Sequence, residues 1–188
     1  MLFAGFVVYY AFPVMKPLSR DELVYGFTPE PGLVAIEHAP GETADAMTLF
    51  LRRAGKLSTR PEPFAPFLWL TKPDYLDGFE PVTKIERLAG ENPFRALAWF
   101  PTWAALERAL GHLRKTTGRT ASDPGAPYFV LRDPVQQFLL DTGRTSFRDL
   151  LLPDLKFLFL DLETDCGPDH EFSNADREED RILAIALA

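Results

Sequence analysis

The stretch Lys156-Phe157-Leu158-Phe159-Leu160-Asp161-Leu162-Glu163-Thr164 is an apolar run that ends in two carboxylates. An unbroken apolar run bounded by charge is typical of a strand covered on both faces, at the centre of a parallel or mixed sheet. Because side chains alternate along a strand, Asp161 and Glu163 are predicted to share one face. Paired carboxylates repel each other unless a cation lies between them, and hard oxygen ligands suit Mg²⁺ or Mn²⁺. The run therefore predicts a metal-binding strand end, where open α/β sheets place their sites.

The elements around this run follow a specific order. The strand-like Tyr128-Phe129-Val130-Leu131 precedes a short helical pattern at 133–140 and the turn Thr142-Gly143. The acidic run comes next, and a second apolar strand follows it, Arg181-Ile182-Leu183-Ala184-Ile185-Ala186-Leu187. In order and spacing, over about sixty residues, the segment resembles the junction between the N-terminal domain and the 3′–5′ exonuclease domain of family B DNA polymerases, particularly the archaeal-like members.

The resemblance implies a DNA-directed DNA polymerase with a proofreading exonuclease that hydrolyses the 3′-terminal phosphodiester with two metal ions, Mg²⁺ or Mn²⁺. Asp161 would be a ligand of both metals, and Glu163 a ligand that also orients the attacking water. Family members complete this site with the motifs Asn-x-x-x-Phe-Asp and Tyr-x-x-x-Asp, and neither occurs in this chain. The chain alone is therefore expected neither to degrade nor to synthesise DNA. Its expected partners are DNA, as template and single-stranded 3′ end, and the remainder of the polymerase.

Composition favours one compact domain or slightly more, because 188 residues with 46% hydrophobic content can bury a substantial core. The single Cys166 excludes an internal disulfide framework and fits a reducing compartment. Charge is unevenly distributed: residues 1–150 carry 17 Lys+Arg and 17 Asp+Glu, whereas residues 151–188 carry 3 and 10. These differences, 0 and −7, place the whole net charge of −7 in the last segment. Such acidity beside a nucleic-acid site requires bound cations, since phosphates otherwise repel it.

The predicted fold class is α+β, with a mixed sheet and a few helices in residues 21–150, followed at 151–188 by the first two strands of a ribonuclease H-like exonuclease domain. Residues 1–20 are expected to form an N-terminal extension. Its apolar run, residues 1–15, is interpreted as a strand or as translated upstream sequence before Met15, in preference to a hidden membrane anchor. Its apolar run is shorter than the ~20 residues that span a bilayer, so no membrane association is expected. The expected location is the cytoplasm, associated with the nucleoid.

Local patterns predict further elements in the first 131 residues. Strands are predicted at 23–27, 33–37, 61–70, 82–88, 94–100 and 128–131. A helix over 43–53 is predicted from a Thr43 cap, with Gly55 closing it. A second helix is predicted from a Thr102 cap to about Thr117, with Gly118 as its stop.

The second predicted helix and its end also carry the most basic cluster, whose candidate nucleic-acid-binding members are Arg108, Arg114, Lys115 and Arg119. A helix C-terminus favours cations for its own stability, and this explanation is preferred to template contact. Contacts with nucleic acid, if made, are expected to reach phosphates without regard to sequence.

Three rival functions remain open from the sequence. A free-standing ribonuclease H-like 3′–5′ exonuclease also opens with an acidic strand followed by an apolar strand. A non-catalytic platform for single-stranded DNA is the second, and an unrelated interaction domain is a more remote one.

The strands near 157–163 and 182–188 are further expected to pair like a hairpin with unpaired edges, and therefore to pack on the N-terminal domain or to self-associate.

Overall fold

The computed structural model describes residues 18–154 and 157–187. The interpretations of residues 1–15, as a strand or as translated upstream sequence, lie outside the described residues. The chain divides into two compact units, one ending at Asp149 and one beginning at Leu150.

Helices and sheets occur together, so the predicted α+β class is confirmed. The elements in chain order are α1 (Arg20–Tyr25), β1 (Leu33–Ala39), β2 (Asp45–Arg53), β3 (Lys56–Phe64), β4 (Phe67–Leu70), β5 (Lys84–Arg87), β6 (Ala96–Trp99), α2 (Trp103–Thr117), β7 (Tyr128–Phe129), α3 (Pro134–Thr142), β8 (Leu160–Asp165) and β9 (Arg181–Leu187).

The first sheet, sheet A, has the order β1-β2-β3, and both of its strand pairs are antiparallel. The helix predicted over 43–53 is wrong, because β2 occupies most of that segment. Met47, Leu49 and Leu51 recur at period two and are all buried, so the alternating pattern prevails over the helical one. Ala54 and Gly55, with φ of 48° and 74°, make the tight turn into β3 at the position predicted to stop a helix.

The second sheet, sheet B, has the order β5-β6-β4-β7, and all its neighbouring strands are antiparallel. With a short 3-10 turn at Pro73–Leu76 in place of the first helix, and α2 as the second, its connections follow the β-α-β-β-α-β plan. The predicted mixed sheet is therefore wrong for the described residues, where every paired strand is antiparallel. The strand predicted at 61–70 is split into β3 and β4, which belong to different sheets. The strand predicted at 23–27 is also wrong, since α1 covers Arg20–Tyr25.

Helix α2 begins and ends as the sequence predicted. The Thr102 hydroxyl accepts a hydrogen bond from the Ala105 N–H at 3.1 Å, and Gly118, with φ of 67°, closes the helix in the left-handed conformation. Ala105, Leu106, Ala109 and Leu113 pack into the core on the inner face of sheet B. The main core of the first unit is thus one helix laid on one sheet.

Helix α3 connects the two sheets of the first unit. Its Phe138 joins a second core cluster with residues of sheet A, among them Met47 and Leu49. Its Gln137 is fully buried: the side-chain oxygen accepts the Phe67 N–H at 2.8 Å, and the amide nitrogen donates to the Leu131 carbonyl at 2.8 Å. One side chain therefore satisfies backbone groups of two separate segments.

Candidate metal centre and nucleic-acid interface

The acidic pair of the sequence analysis lies in β8. This strand pairs antiparallel with β9, so the predicted hairpin-like pairing is confirmed. Asp161 lies opposite Ala186 and Glu163 opposite Ala184, ahead of the irregularity between Glu163 and Thr164. The two acidic residues are alternate positions of one regular strand, so they share a face, about 7 Å apart along the chain.

The opposite face of this two-stranded sheet is apolar. Leu160 lies opposite Leu187, and Leu162 lies opposite Ile185. The side chains are nonetheless exposed; Leu162 keeps 47% of its surface accessible and Leu187 keeps 65%. The predicted burial on both faces is therefore wrong for this chain, because two strands alone cover neither of their own faces. The second unit thus has one acidic, alanine-lined face and one leucine- and isoleucine-lined face.

The loop between β8 and β9 is organised around Asp180. Its carboxylate accepts the Asn174 N–H at 2.6 Å, the Gly167 N–H at 3.2 Å and the Arg177 Nε–H at 2.8 Å. Burial raises the pKa of Asp180, but these hydrogen bonds and the Arg177 charge outweigh it and hold the pKa below its ordinary value. This carboxylate has a structural task, and its three donors leave it little capacity for a metal.

The donors present do not by themselves fit a two-metal site. Asp161 and Glu163 offer hard oxygen ligands of the type that Mg²⁺ or Mn²⁺ prefers. Within residues 18–154 and 157–187, however, no group of three or more His, Cys, Asp or Glu side chains is arranged to hold a metal ion. Two carboxylates on an exposed strand supply too few ligands for a pair of ions, so no chemical step can be built on this strand alone.

The basic residues predicted for nucleic acid lie on α2 and just after it. All four side chains are exposed, namely those of Arg108, Arg114, Lys115 and Arg119. Arg108 and Lys115 are seven residues apart, two helical turns, and therefore share a face, whereas Arg114 projects about 100° away from Lys115. Arg114 and Lys115 lie in the last turn of α2. Arg114 and Lys115 therefore complement the helix dipole, whereas Arg108 lies in the first half of α2.

Two of these cations lie near an acidic group. The Asp123 carboxylate accepts the Thr120 N–H at 2.6 Å. Hydrogen bonds from Thr120 hold the pKa of Asp123 below its ordinary value, and the charges of Arg119 and Arg114 lower it further. Arg119 and Arg114 therefore share their surroundings with one carboxylate.

An ionic network that the sequence did not predict links the segment that follows α3 to sheet A. Glu30 accepts hydrogen bonds from Arg60 at 2.6 Å and from Arg53 at 3.1 Å. Glu62 accepts from Arg60 at 2.7 Å and from Arg144 at 2.7 Å. The partners are up to 82 residues apart in sequence, so no local spacing could have identified them.

Glu30 is expected to make stability depend on pH. Hydrogen bonding from Arg60 lowers the pKa of Glu30, although burial opposes it, and the charges of Arg60, Arg144 and Arg53 lower the pKa further. A folded pKa below the unfolded value means that the contribution is present at neutral pH and is lost as pH falls from about 4.5 downwards. Urea unfolding of Glu30→Gln should show reduced stability at pH 7 and a gap to wild type that closes in acid.

Glu42→Gln is the matched control, because Glu42 is an exposed glutamate of the β1–β2 connection. It should track the wild type at every pH. A gap between Glu30→Gln and wild type that stays constant from neutral to acid pH would contradict the assignment.

A set of aromatic side chains on the outer face of sheet B was likewise not predicted as a surface feature: Trp69, Phe94 and Phe129. Alternation along β4, with Leu68 and Leu70 buried in the core, was the signal that could have separated this face from the interior. The aromatic content of β4, considered alone, is typical of a strand buried in the core.

No protein-family model matches this chain, and no curated protein sequence matches it at a significant level. In the parts of the chain that the structure describes, no helix is long and apolar enough to cross a membrane.

Proposed function

We propose that this chain is the N-terminal part of a family B DNA polymerase, in which β8 and β9 open a ribonuclease H-like 3′–5′ exonuclease domain. The observation that carries the proposal is the position of Asp161 and Glu163 at alternate, same-face positions of a strand paired with a second apolar strand. Strand alternation puts the two side chains on one face, and their carboxylate oxygens are the ligands that Mg²⁺ or Mn²⁺ prefers. Acidic residues in a solvated turn would not need to share a face.

The two-faced character of the second unit supports the same proposal. Exposed leucine and isoleucine side chains on one face of β8 and β9 require a covering layer to be stable in water. An exonuclease domain would supply helices for that face and further carboxylates for the other. In the intact protein Asp161 and Glu163 would be two of the ligands of bound Mg²⁺ or Mn²⁺, which would supply positive charge at the reacting phosphate.

The reading frame beyond the Ala188 codon tests the proposal directly. We expect it to encode the two remaining acidic motifs, Asn-x-x-x-Phe-Asp and Tyr-x-x-x-Asp, and then the polymerase motifs. We also expect the 188-residue chain to release no nucleotides from a 3′-labelled single-stranded oligonucleotide in Mg²⁺ or Mn²⁺. A frame with neither acidic motif would contradict the proposal.

A free-standing ribonuclease H-like exonuclease is the second candidate, because β8 and β9 suit its opening equally well. The two candidates differ in the sequence expected downstream of the acidic motifs. A stop codon soon after the third acidic motif, without polymerase motifs, would favour the free-standing nuclease.

A further inference from the structure

An apolar groove of about 360 Å³ lies between α1 and α3 in the first unit. Three of its lining residues are Leu23 and Val24 of α1 and Leu140 of α3, which keep 70%, 60% and 54% of their surface accessible. Leu18 and Leu131 also line it. Apolar side chains clustered on a protein surface typically mark a place where another apolar group binds. We name this feature the α1–α3 groove.

The two walls of the α1–α3 groove are held to each other. The Thr28 N–H donates to the Gly143 carbonyl at 3.0 Å. Gly143 has a φ of 65°, and a Cβ at this position would collide with the Phe27 ring, so the ring lies directly against the backbone at the end of α3. The Arg148 guanidinium donates to the Tyr25 carbonyl at 3.3 Å. The groove is therefore a built part of the folded unit.

The charged residues of the groove lining, Glu22 and Arg144, interact within the protein. The Arg144 guanidinium donates to the Glu62 carboxylate at 2.7 and 3.1 Å, and its Nε lies 3.7 Å from the Glu30 carboxylate. The Glu22 carboxylate accepts the Ser19 N–H at 2.7 Å. An occupant with a charge of its own would have to compete with these pairs. The lining therefore favours an uncharged, apolar occupant.

The chain itself carries such an occupant beside the groove. Residues 1–15 contain five aromatic side chains and no charged one, and removing apolar surface of this kind from water is favourable. Only Lys16 and Pro17 separate this segment from Leu18, which lines the groove. So short a tether spans at most about 11 Å from Met15 to Leu18. It also keeps the segment at an effective concentration on the order of millimolar, which favours it over a second copy of the chain.

We propose that residues 1–15 dock in the α1–α3 groove and cover Leu23, Val24 and Leu140. The groove lies in the range of pockets that hold a small molecule, ~300–1,000 Å³. It therefore takes a few large side chains of the segment, while the rest covers the exposed rim. This proposal concerns the first unit and does not rest on the proposed polymerase function.

Photo-crosslinking in the full 188-residue chain tests the contact. With p-benzoylphenylalanine in place of Leu140, irradiation should form crosslinks to residues 1–15 of the same chain, which peptide mass spectrometry identifies. The same probe in place of Leu57, a residue of β3 that is 56% exposed and does not line the groove, should form none. A mixture of isotopically labelled and unlabelled chains shows whether a crosslink joins one chain or two.

Two crosslinking results would overturn the proposal. One is the absence of any crosslink from the Leu140 position to residues 1–15. The other is crosslinks that reach residues 1–15 only between labelled and unlabelled chains, which would assign the groove to a second copy.

Chymotrypsin gives an independent readout, because Tyr9 and Tyr10 lie in the segment. Leu140→Glu places a carboxylate in the groove, and an apolar segment then loses its site, since covering an unpaired charge is costly. Cleavage after Tyr9 and Tyr10 should therefore be about tenfold faster than in wild type, whereas Leu57→Glu should change the rate less than about twofold. Circular dichroism and the melting temperature confirm that both variants are folded. Equal cleavage rates in wild type and Leu140→Glu would contradict docking in this groove.

Discussion

Asp161→Ala, made in the chain extended through the exonuclease motifs that we propose lie downstream, is expected to lower Mg²⁺-dependent release of 3′ nucleotides at least about a hundredfold. The figure is a lower bound, because loss of a group that merely orients a metal ligand already costs ~10- to 100-fold. Asp161 and Glu163 are neighbours on one face of β8, so Glu163→Ala should produce a loss of similar size. Calorimetric titration with Mn²⁺ gives a second readout, in which both variants should bind the metal more weakly than the extended wild type.

Asp165→Ala provides the control for this prediction. Asp165 belongs to the same strand, but its carboxylate lies 3.8 Å from Arg181 and it follows the irregularity after Glu163. Its replacement should leave nucleotide release within about threefold of wild type, because an exposed ion pair contributes little. Undiminished release by Asp161→Ala in the extended chain would remove Asp161 from the site. Metal-dependent release by the 188-residue chain itself would show that β8 and β9 need no further ligands.

Gln137→Leu is expected to destabilise the first unit by about 2–6 kcal/mol, although leucine nearly preserves the side-chain volume. The amide of Gln137 is fully buried and satisfies the Phe67 N–H and the Leu131 carbonyl, both at 2.8 Å. Leucine can satisfy neither group, and each buried backbone group left without a partner costs ~1–3 kcal/mol. Urea denaturation followed by tryptophan fluorescence measures the difference in the free energy of unfolding.

The neighbouring glutamine makes this test specific. Gln136 lies on the same helix and is exposed, so Gln136→Leu should change stability by less than about 0.5 kcal/mol. Equal losses in the free energy of unfolding would mean that replacing any polar side chain of α3 destabilises the protein, whether or not that side chain is buried. A Gln137→Leu variant as stable as wild type would show that α3 can shift and bring other partners to these two backbone groups.

The features that the sequence predicted correctly are those set by neighbouring residues. Thr102 and Gly118 define both ends of α2, because capping and left-handed closure depend on a few adjacent side chains. The alternation of Asp161, Leu162 and Glu163 likewise fixes which residues share a face, whatever covers that face. The error over 43–53 arose where helical and alternating patterns coexist in one segment, and pairing with β1 and β3 decided between them.

Sequence alone determined the α+β class, the ends of α2, and the acidic pair on one face of β8 paired with β9. Tertiary structure alone decided that β2 is a strand, that every described strand pair is antiparallel, and that Glu30, Glu62 and Arg144 meet. It also decided that Trp69, Phe94 and Phe129 lie partly exposed on the outer face of sheet B. The physical reason is range: caps and alternation act over a few residues, whereas burial and charge pairing depend on groups that only the folded chain brings together.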